Sequence, residues 1–196
     1  LAAQGELLDA PLRLELVQVE PGGVGFQLFR LLVAQFPQPL VPTIDEDAPP
    51  VYTVLARLVD KDENLVPAGR FLDELEKRGL LPELDAWVFR SVHRTLTERI
   101  AETTSLTLMA HVSAQSLGNA IYLETVGALL AEQPMRHAGQ KLVVAVPESL
   151  AVTHRHMVER LANMLVPAGG GLMLTAYGGS TAAARLVAEL RPLYVR

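Results

Sequence analysis

The chain has 196 residues, of which 49% are hydrophobic, and it carries a formal net charge of −5 and no cysteine. This length supports one sizeable core, and the lack of cysteine excludes disulfides, cysteine-based zinc sites and thiol nucleophiles. The negative charge argues against a nucleic-acid partner, and no apolar run reaches the ~18 residues of a membrane span. We therefore expect a globular, cytoplasmic protein that does not insert into a membrane.

The N-terminal part contains three predicted elements. LRLELVQVE, residues 12–20, alternates apolar and polar residues, as a half-exposed strand does. VGFQLFRLLVAQ, residues 24–35, has the spacing of a helix, and FPQPLVPTI, residues 36–44, is a candidate strand punctuated by proline. We interpret residues 1–25 as a lead-in segment or linker from an upstream region, and we expect the main domain to cover residues 26–196.

From residue 51 onward, short apolar strands alternate with longer helices. The predicted strands are VYTVLARLV, LTLMAHVS, KLVVAVPES, GGLMLTAYGG and PLYVR. The predicted helices are GRFLDELEKRGL, which ends near Gly79, LDAWVFRSVHRTLTERI, GNAIYLETVGALLAEQ, SLAVTHRHMVERLANML and STAAARLVAELR. Strands that are apolar on both faces and separated by helices are typical of a parallel sheet with crossover helices. The sequence therefore predicts an α/β fold.

The segment LMLTAYGGS, residues 172–180, joins a predicted strand to a predicted helix. Backbone N–H groups and a helix N-terminus at such a junction can hold phosphate. However, the segment lacks the full G-x-G-x-x-G pattern and the lysine of a P-loop. Because glycine readily occupies tight turns, we favour a tight turn and interpret Ser180 as the N-cap of the last helix.

Other side chains could also carry chemistry. His154 and His156 lie two residues apart on a predicted helix and point in directions about 200° apart, so they are not suited to share a metal. His111 ends a predicted parallel strand, where barrel active sites are built, and Glu148 follows another. Each could instead be structural, as a hydrogen-bonded histidine or a carboxylate at a helix N-terminus. The strand ends carry almost no acids, whereas a site for divalent cations needs several carboxylates.

Several motifs in consistent register resemble the EAL domain, the bacterial cyclic-di-GMP phosphodiesterase family. TVLAR at residues 53–57 resembles its E-x-L-x-R signature, and residues 67–71 and 85–88 resemble the two helix starts that follow. The remaining matches are QPLVP with the Q-P-I strand, LMAHVSAQSL with N-x-S, LVVAVPESL with L-E-I-T-E-S, LMLTAYGGS with A-L-D-D-F-G-x-G, and PLYVR with the strand of the catalytic lysine. The resemblance implies a variant (β/α)8 TIM-like barrel of EAL type. We expect only part of it here, because such barrels usually need ~250 residues.

The positions that correspond to the family's metal ligands carry other residues. The signature Glu corresponds to Thr53, the strand Asn to His111, the first Glu of L-E-I-T-E to Ala145, and the paired aspartates to Thr175 and Ala176. Two divalent cations demand hard oxygen ligands. The resemblance therefore implies a degenerate domain without phosphodiesterase activity, without a bound metal and without another cofactor.

The resemblance also includes positions at which the family contacts its dinucleotide ligand. Gln38, Leu55 and Arg57 stand where the family contacts the dinucleotide, and Arg57 could pair with a phosphate. Arg196 replaces the catalytic lysine and keeps its charge, but a guanidinium does not readily give up its proton and is therefore a poor base. The resemblance implies a non-catalytic receptor of the FimX and LapD type, which binds cyclic-di-GMP and relays the signal to a protein partner.

Two alternatives remain open. The chain could be a nucleotide-independent module that serves homodimerisation or the docking of a partner protein. It could also be a repurposed hydrolase that uses His111 and Glu148, which is the least favoured of the three. Binding of cyclic-di-GMP separates the first hypothesis from the interaction module, and turnover of cyclic-di-GMP with added Mg²⁺ or Mn²⁺ tests the hydrolase.

Overall fold

The computed structural model describes residues 14–17, 29–35, 51–59, 64–99, 105–135 and 139–196. The strands are β1 (Leu14–Val17), β2 (Phe29–Gln35), β3 (Val51–Val59), β4 (Leu65–Pro67), β5 (Leu106–His111), β6 (Gln140–Pro147), β7 (Gly171–Thr175) and β8 (Tyr194–Val195). The helices are α1 (Leu72–Lys77), α2 (Leu81–Arg94), α3 (Ala114–Leu117), α4 (Ala120–Glu132), α5 (Glu148–Thr153), α6 (Arg155–Leu165) and α7 (Thr181–Leu190). A 3-10 turn, Ala68–Arg70, precedes α1, and a π-helical turn, Thr95–Arg99, continues α2.

The described strands form one mixed sheet in the order β1-β2-β3-β5-β6-β7-β8, with β4 paired to β3. Strands β3, β5, β6, β7 and β8 are parallel neighbours, whereas β1 and β2 run antiparallel. Helices connect each parallel strand to the next, which confirms the α/β fold and the strand and helix alternation of a (β/α) barrel. Within the described ranges β1 and β8 are the two edges of the sheet, so this part of the chain is an open segment of such a barrel.

The helices pack on one face of the sheet. Leu108 of β5, Val144 of β6 and Leu174 of β7 are at most 1% exposed, and they share an apolar cluster with Val92 of α2 and Val126 of α4. Side chains alternate along a strand, so the intervening residues form a second, smaller cluster. Its buried members are Met109, Val143, Ala145 and Met173. We call the face that carries this second cluster the inner face.

The connection between α1 and α2 confirms the predicted helix end near Gly79. Gly79 has a φ of 71°, which glycine adopts without steric cost. Its N–H donates to the Glu76 carbonyl at 3.0 Å, and the Leu80 N–H donates to the Leu75 carbonyl at 2.9 Å. This pair of bonds closes the helix as a Schellman motif. Pro82 then lies in the first turn of α2, where its missing N–H is not needed.

The helix predicted over residues 24–35 is wrong, because Phe29–Gln35 is strand β2. All seven residues of β2 pair with β3, from Phe29 opposite Leu58 to Gln35 opposite Tyr52. Spacing alone does not distinguish a strand from a helix in a short apolar run. The pairing with β3 shows that this segment is a strand.

The long helix predicted over residues 149–165 is also wrong in one respect. It is divided into α5 and α6 at His154, whose φ of −116° and ψ of 36° are not helical. His154 therefore lies at a junction, whereas His156 is on α6 with a side chain that is 91% exposed. The prediction that both histidines lie on one helix does not hold.

Some predictions fall outside the described ranges. Gln38 and the candidate strand at residues 36–44 are among them. The boundary between residues 1–25 and 26–196 stays a prediction, although β1 of the first segment pairs with β2 of the second. None of the described helices has the length and apolar character needed to cross a membrane.

Candidate ligand site

Three predicted site residues alternate along β3. Thr53, Leu55 and Arg57 are two residues apart, so their side chains point to the same side of the strand. Thr53 is paired with Met109 of β5, and Met109 belongs to the inner cluster. The structure therefore places all three side chains on the inner face.

Two further predicted positions are neighbours on the inner face. His111 at the end of β5 is paired in register with Ala145 of β6, and Ala145 is paired with Met173 of β7. Ala145 is fully buried in the inner cluster, whereas His111 is exposed at the strand end. Of this pair, His111 is the residue that a ligand can reach.

The loop after β7 brings the remaining predicted positions together. Thr175 ends β7, and Ala176 follows with a φ of 55°. The Arg196 N–H donates to the Leu174 carbonyl at 2.8 Å, and the Arg196 carbonyl accepts from the Tyr177 N–H at 2.9 Å. The backbone of Arg196 is thereby attached on both sides of Thr175 and Ala176. The left-handed conformation of Ala176 is uncommon for residues other than glycine, asparagine and aspartate.

The glycine-containing loop is a turn held by a carboxylate of the protein. Glu148 accepts a hydrogen bond from the Gly178 N–H at 2.7 Å and another from the Ser180 hydroxyl at 3.1 Å. The Ser180 hydroxyl oxygen in turn accepts from the Ala183 N–H at 3.0 Å, which confirms the predicted N-cap. Gly179 has a φ of 68°, a left-handed conformation that glycine adopts without steric cost. The Gly178 N–H, which a phosphate would use, is thus already bonded to Glu148.

Arg57 has donors to offer a ligand. Its side chain is half-buried, and its Nη1 donates to the Ala56 carbonyl at 2.9 Å. None of the ion pairs between described residues involves Arg57. A guanidinium has five N–H donors in a fork that matches phosphate geometry. Arg57 is therefore suited to bind an anionic group at the edge of the inner face.

Asp85 lies beside the site, and the sequence motifs indicate it only as part of a helix start at residues 85–88. It lies on α2 between two buried residues, and its Oδ2 accepts from the Ser113 N–H at 2.7 Å and from the Ser116 hydroxyl at 2.6 Å. Burial raises the pKa of the Asp85 carboxyl, and the two serines oppose this rise. The available signal was a single carboxylate inside the buried stripe LDAWVF.

Asp85, His111 and Arg196 interact through their charges. Reduced solvation lowers the pKa of His111, the Asp85 carboxylate raises it, and the positive Arg196 lowers it. Burial raises the pKa of the neighbouring Tyr122, and the charge of Asp85 adds to this rise. The end of β5 therefore carries a mixed group of ionisable side chains around His111.

Two threonine hydroxyls of the inner face lack a hydrogen-bond partner among the described residues. They are Oγ1 of Thr53 and Oγ1 of Thr107, and both atoms are buried. Thr107 is paired with Val51, two residues before Thr53 on β3, so the two threonines are diagonal neighbours. Buried polar atoms are usually hydrogen-bonded, so two neighbouring buried hydroxyls without a partner are unusual.

The residues at the predicted metal positions do not fit a pair of divalent cations. Thr53 and Thr175 offer hydroxyls, His111 an imidazole, and Ala145 and Ala176 only methyl groups. Magnesium is normally bound through carboxylates. In the described part of the chain, no three His, Asp or Glu side chains form a group that could hold a metal ion.

Comparisons with known proteins identify the family. The model of the EAL domain matches residues 33–196. The FimX EAL domain from Pseudomonas aeruginosa bound to c-di-GMP has a TM-score of 0.63 and 22% identity, over 85% of this chain and 64% of that one. The Xanthomonas citri FimX EAL domain in complex with c-diGMP has a TM-score of 0.62 and 21% identity, over 74% of this chain and 56% of that one. No curated protein sequence matches the chain.

A two-domain relative shows the same fold. LapD from Vibrio cholerae, a chain with an S helix, GGDEF and EAL segments, has a TM-score of 0.60 and 20% identity, over 74% of this chain and 34% of that one. The chain thus spans less than two thirds of the length of each of these structures. Because the family model covers most of the chain and the folds agree, the chain belongs to the EAL domain family.

Proposed function

We propose that the chain is a non-catalytic EAL regulatory domain that binds cyclic-di-GMP in bacterial signalling and relays the signal to a partner protein. The observation that carries this proposal is the position of Arg57. Its guanidinium lies on the inner face and forms no ion pair with another described residue. Solved EAL domains of FimX and LapD are bound to c-di-GMP. A cytoplasmic location belongs to the same proposal.

The proposed loss of catalysis is supported by the residues at the former metal positions. These positions lack the carboxylates that would bind a metal. In addition, the backbone of Ala176 has a φ of 55°. Aspartate, which the family resemblance places there, adopts this conformation more readily than alanine. We infer that the loop kept its shape after the carboxylate was replaced.

Isothermal titration calorimetry tests ligand binding. We expect saturable heat with cyclic-di-GMP, and we expect Arg57→Ala to weaken the affinity at least about tenfold, because a charge-assisted contact to phosphate is lost. Arg160→Ala on the exposed surface of α6 is the matched control and should bind as the wild type does. No heat at about 100 µM ligand, a limit near −5.5 kcal/mol, would overturn the proposal.

Hydrolysis assays test the absence of catalysis separately. With added Mg²⁺ or Mn²⁺ we expect no turnover of cyclic-di-GMP, because the donor set lacks carboxylates. Turnover by the purified chain would contradict a purely regulatory role. It would leave the binding proposal intact.

A second candidate is a nucleotide-independent interaction module. It is supported by a cleft of about 250 Å³ between α2 and α4. Ile121 at the cleft is 73% exposed. If this surface forms a homodimer, light scattering should show a dimer that Ile121→Asp dissociates, whereas Val166→Asp, at a site that is 60% exposed after α6, leaves it unchanged. A monomer at all concentrations would contradict homodimerisation through this surface.

A further inference from the structure

We propose that Asp85 is a positioning residue of the ligand site, which fixes the corner between β5 and α3 through Ser113 and Ser116 and thereby the place of His111 on the inner face. The inference rests on the proposed function for the identity of the ligand. Asp85 itself lies on α2, beside the site.

The corner after β5 depends on side-chain contacts for its shape. Helix α3 has four residues, which is too short to be stable alone. Ser113 caps it by accepting from the Ser116 N–H at 3.1 Å, and the hydroxyls of the two serines are 2.8 Å apart. Ser116 is fully buried. The two serines therefore form one connected group in which each hydroxyl orients the other.

Asp85 joins this group to the helix layer. A single oxygen, Oδ2, accepts from both the Ser113 N–H and the Ser116 hydroxyl, at 2.7 and 2.6 Å. Such short bonds are typical of a charged acceptor. Among the described residues Asp85 has no basic partner in an ion pair, so its half-buried carboxylate loses solvation without a countercharge in contact. A carboxylate at this place is better explained by the geometry that it imposes than by stability alone.

His111 is close enough to the corner to follow its position. Only Val112, which is 5% exposed, separates His111 from Ser113. The Asp85 carboxylate favours the protonated form of His111, whereas burial and the positive Arg196 disfavour it. Moving the corner would therefore shift the imidazole relative to Arg196 and to the inner face.

Two substitutions of Asp85 separate position from charge. In Asp85→Asn, the amide oxygen can still accept both bonds, and only the negative charge is removed. In Asp85→Ala both bonds are lost. We expect calorimetry with cyclic-di-GMP to show binding at least about tenfold weaker for Asp85→Ala, the size of one lost charge-assisted bond, and within about threefold of wild type for Asp85→Asn. Asp73→Ala on the exposed side of α1 is the matched control.

Nuclear magnetic resonance supplies a readout that does not need the ligand. We expect the Ser113 amide and the His111 ring resonances to shift in Asp85→Ala and to return toward wild type in Asp85→Asn. If the wild type binds no nucleotide, the proposed function fails, and these resonances alone decide the role of Asp85. The inference is overturned if both variants leave the His111 and Ser113 resonances unchanged, or if both bind the nucleotide as the wild type does.

A milder variant covers the case in which Asp85→Ala does not fold. Ser116→Ala removes one of the two donors to Asp85 and keeps the Ser113 N–H. We expect about threefold weaker binding and a smaller shift of the His111 resonance. Wild-type affinity together with an unmoved His111 resonance in this variant would equally overturn the inference.

Discussion

The two faces of the sheet are both buried at their centres, but they differ in chemistry. Leu108 and Val144 on the helix-covered face pack in a large apolar cluster. On the inner face, Thr107 is as fully buried as Met109, and its hydroxyl lacks a partner among the described residues. An unsatisfied buried hydroxyl costs about 1–3 kcal/mol. The helix-covered face is therefore filled for stability, whereas the inner face keeps polar groups at the expense of stability.

The largest effect that we expect comes from the helix-covered face. Leu108→Ala should lower the free energy of unfolding by about 2–5 kcal/mol, because it leaves a cavity in the packed cluster. Denaturant unfolding at 25 °C measures this loss. The control is Leu193→Ala, at a side chain that is 45% exposed, which should change stability by less than about 1 kcal/mol. Equal losses in both variants would remove the distinction between packed face and surface.

Thr107→Val tests the inner face and should have a smaller effect of opposite sign. The two side chains have nearly the same shape, so removing an unsatisfied hydroxyl should raise the free energy of unfolding by about 1 kcal/mol. Thr95→Val is the matched control, because Thr95 is also fully buried but its hydroxyl donates to the Ser91 carbonyl at 2.8 Å. Thr95→Val should destabilise the protein. A loss of stability in Thr107→Val would mean that this hydroxyl is bonded after all.

The smallest effect that we expect is a change in the pH dependence of stability caused by Asp85, which lies where the helix layer meets the end of the inner face. Its pKa in the folded protein is raised above the ordinary 3.8, so the folded state binds the proton more tightly than the unfolded state. The resulting stability is fully present below 3.8 and is lost as the pH rises through the folded value. Unfolding of wild type and Asp85→Asn should therefore differ in pH dependence within this acid window. Parallel profiles would contradict the raised pKa.

Most strands and helices after residue 51 could be predicted because each carries its own pattern, although the break at His154 could not. Val51–Val59 and Leu106–His111 are short apolar runs between breakers, and both are strands of the parallel sheet. The segment Phe29–Gln35 could not be predicted in the same way. Its apolar residues suit a helix or a strand, and the choice depends on seven pairs with β3, a partner more than ten residues away in the chain.

The candidate site was predictable in two ways. His111 was indicated by its residue type at a strand end, whereas Thr53, Leu55 and Arg57 were indicated by the resemblance to the E-x-L-x-R signature. All four lie on the inner face. The role of Asp85 was missed, because its importance comes from Ser113, which lies 28 residues further along the chain. Glu148 was noticed at its strand end, but its bond to Gly178 spans 30 residues and cannot be deduced from local spacing.

The alternation of buried strands and amphipathic helices can be predicted from the amino-acid sequence, and so can the chemical groups at the strand ends. Both follow from local patterns, since the period of apolar residues and the turn residues act within a few positions. Three other features depend on contacts between distant segments: Phe29–Gln35 is a strand, Glu148 holds the loop of Gly178, and Asp85 holds the corner beside His111. The reason is physical: hydrogen bonds between distant segments form only when the packed core brings their partners within about 3 Å of each other.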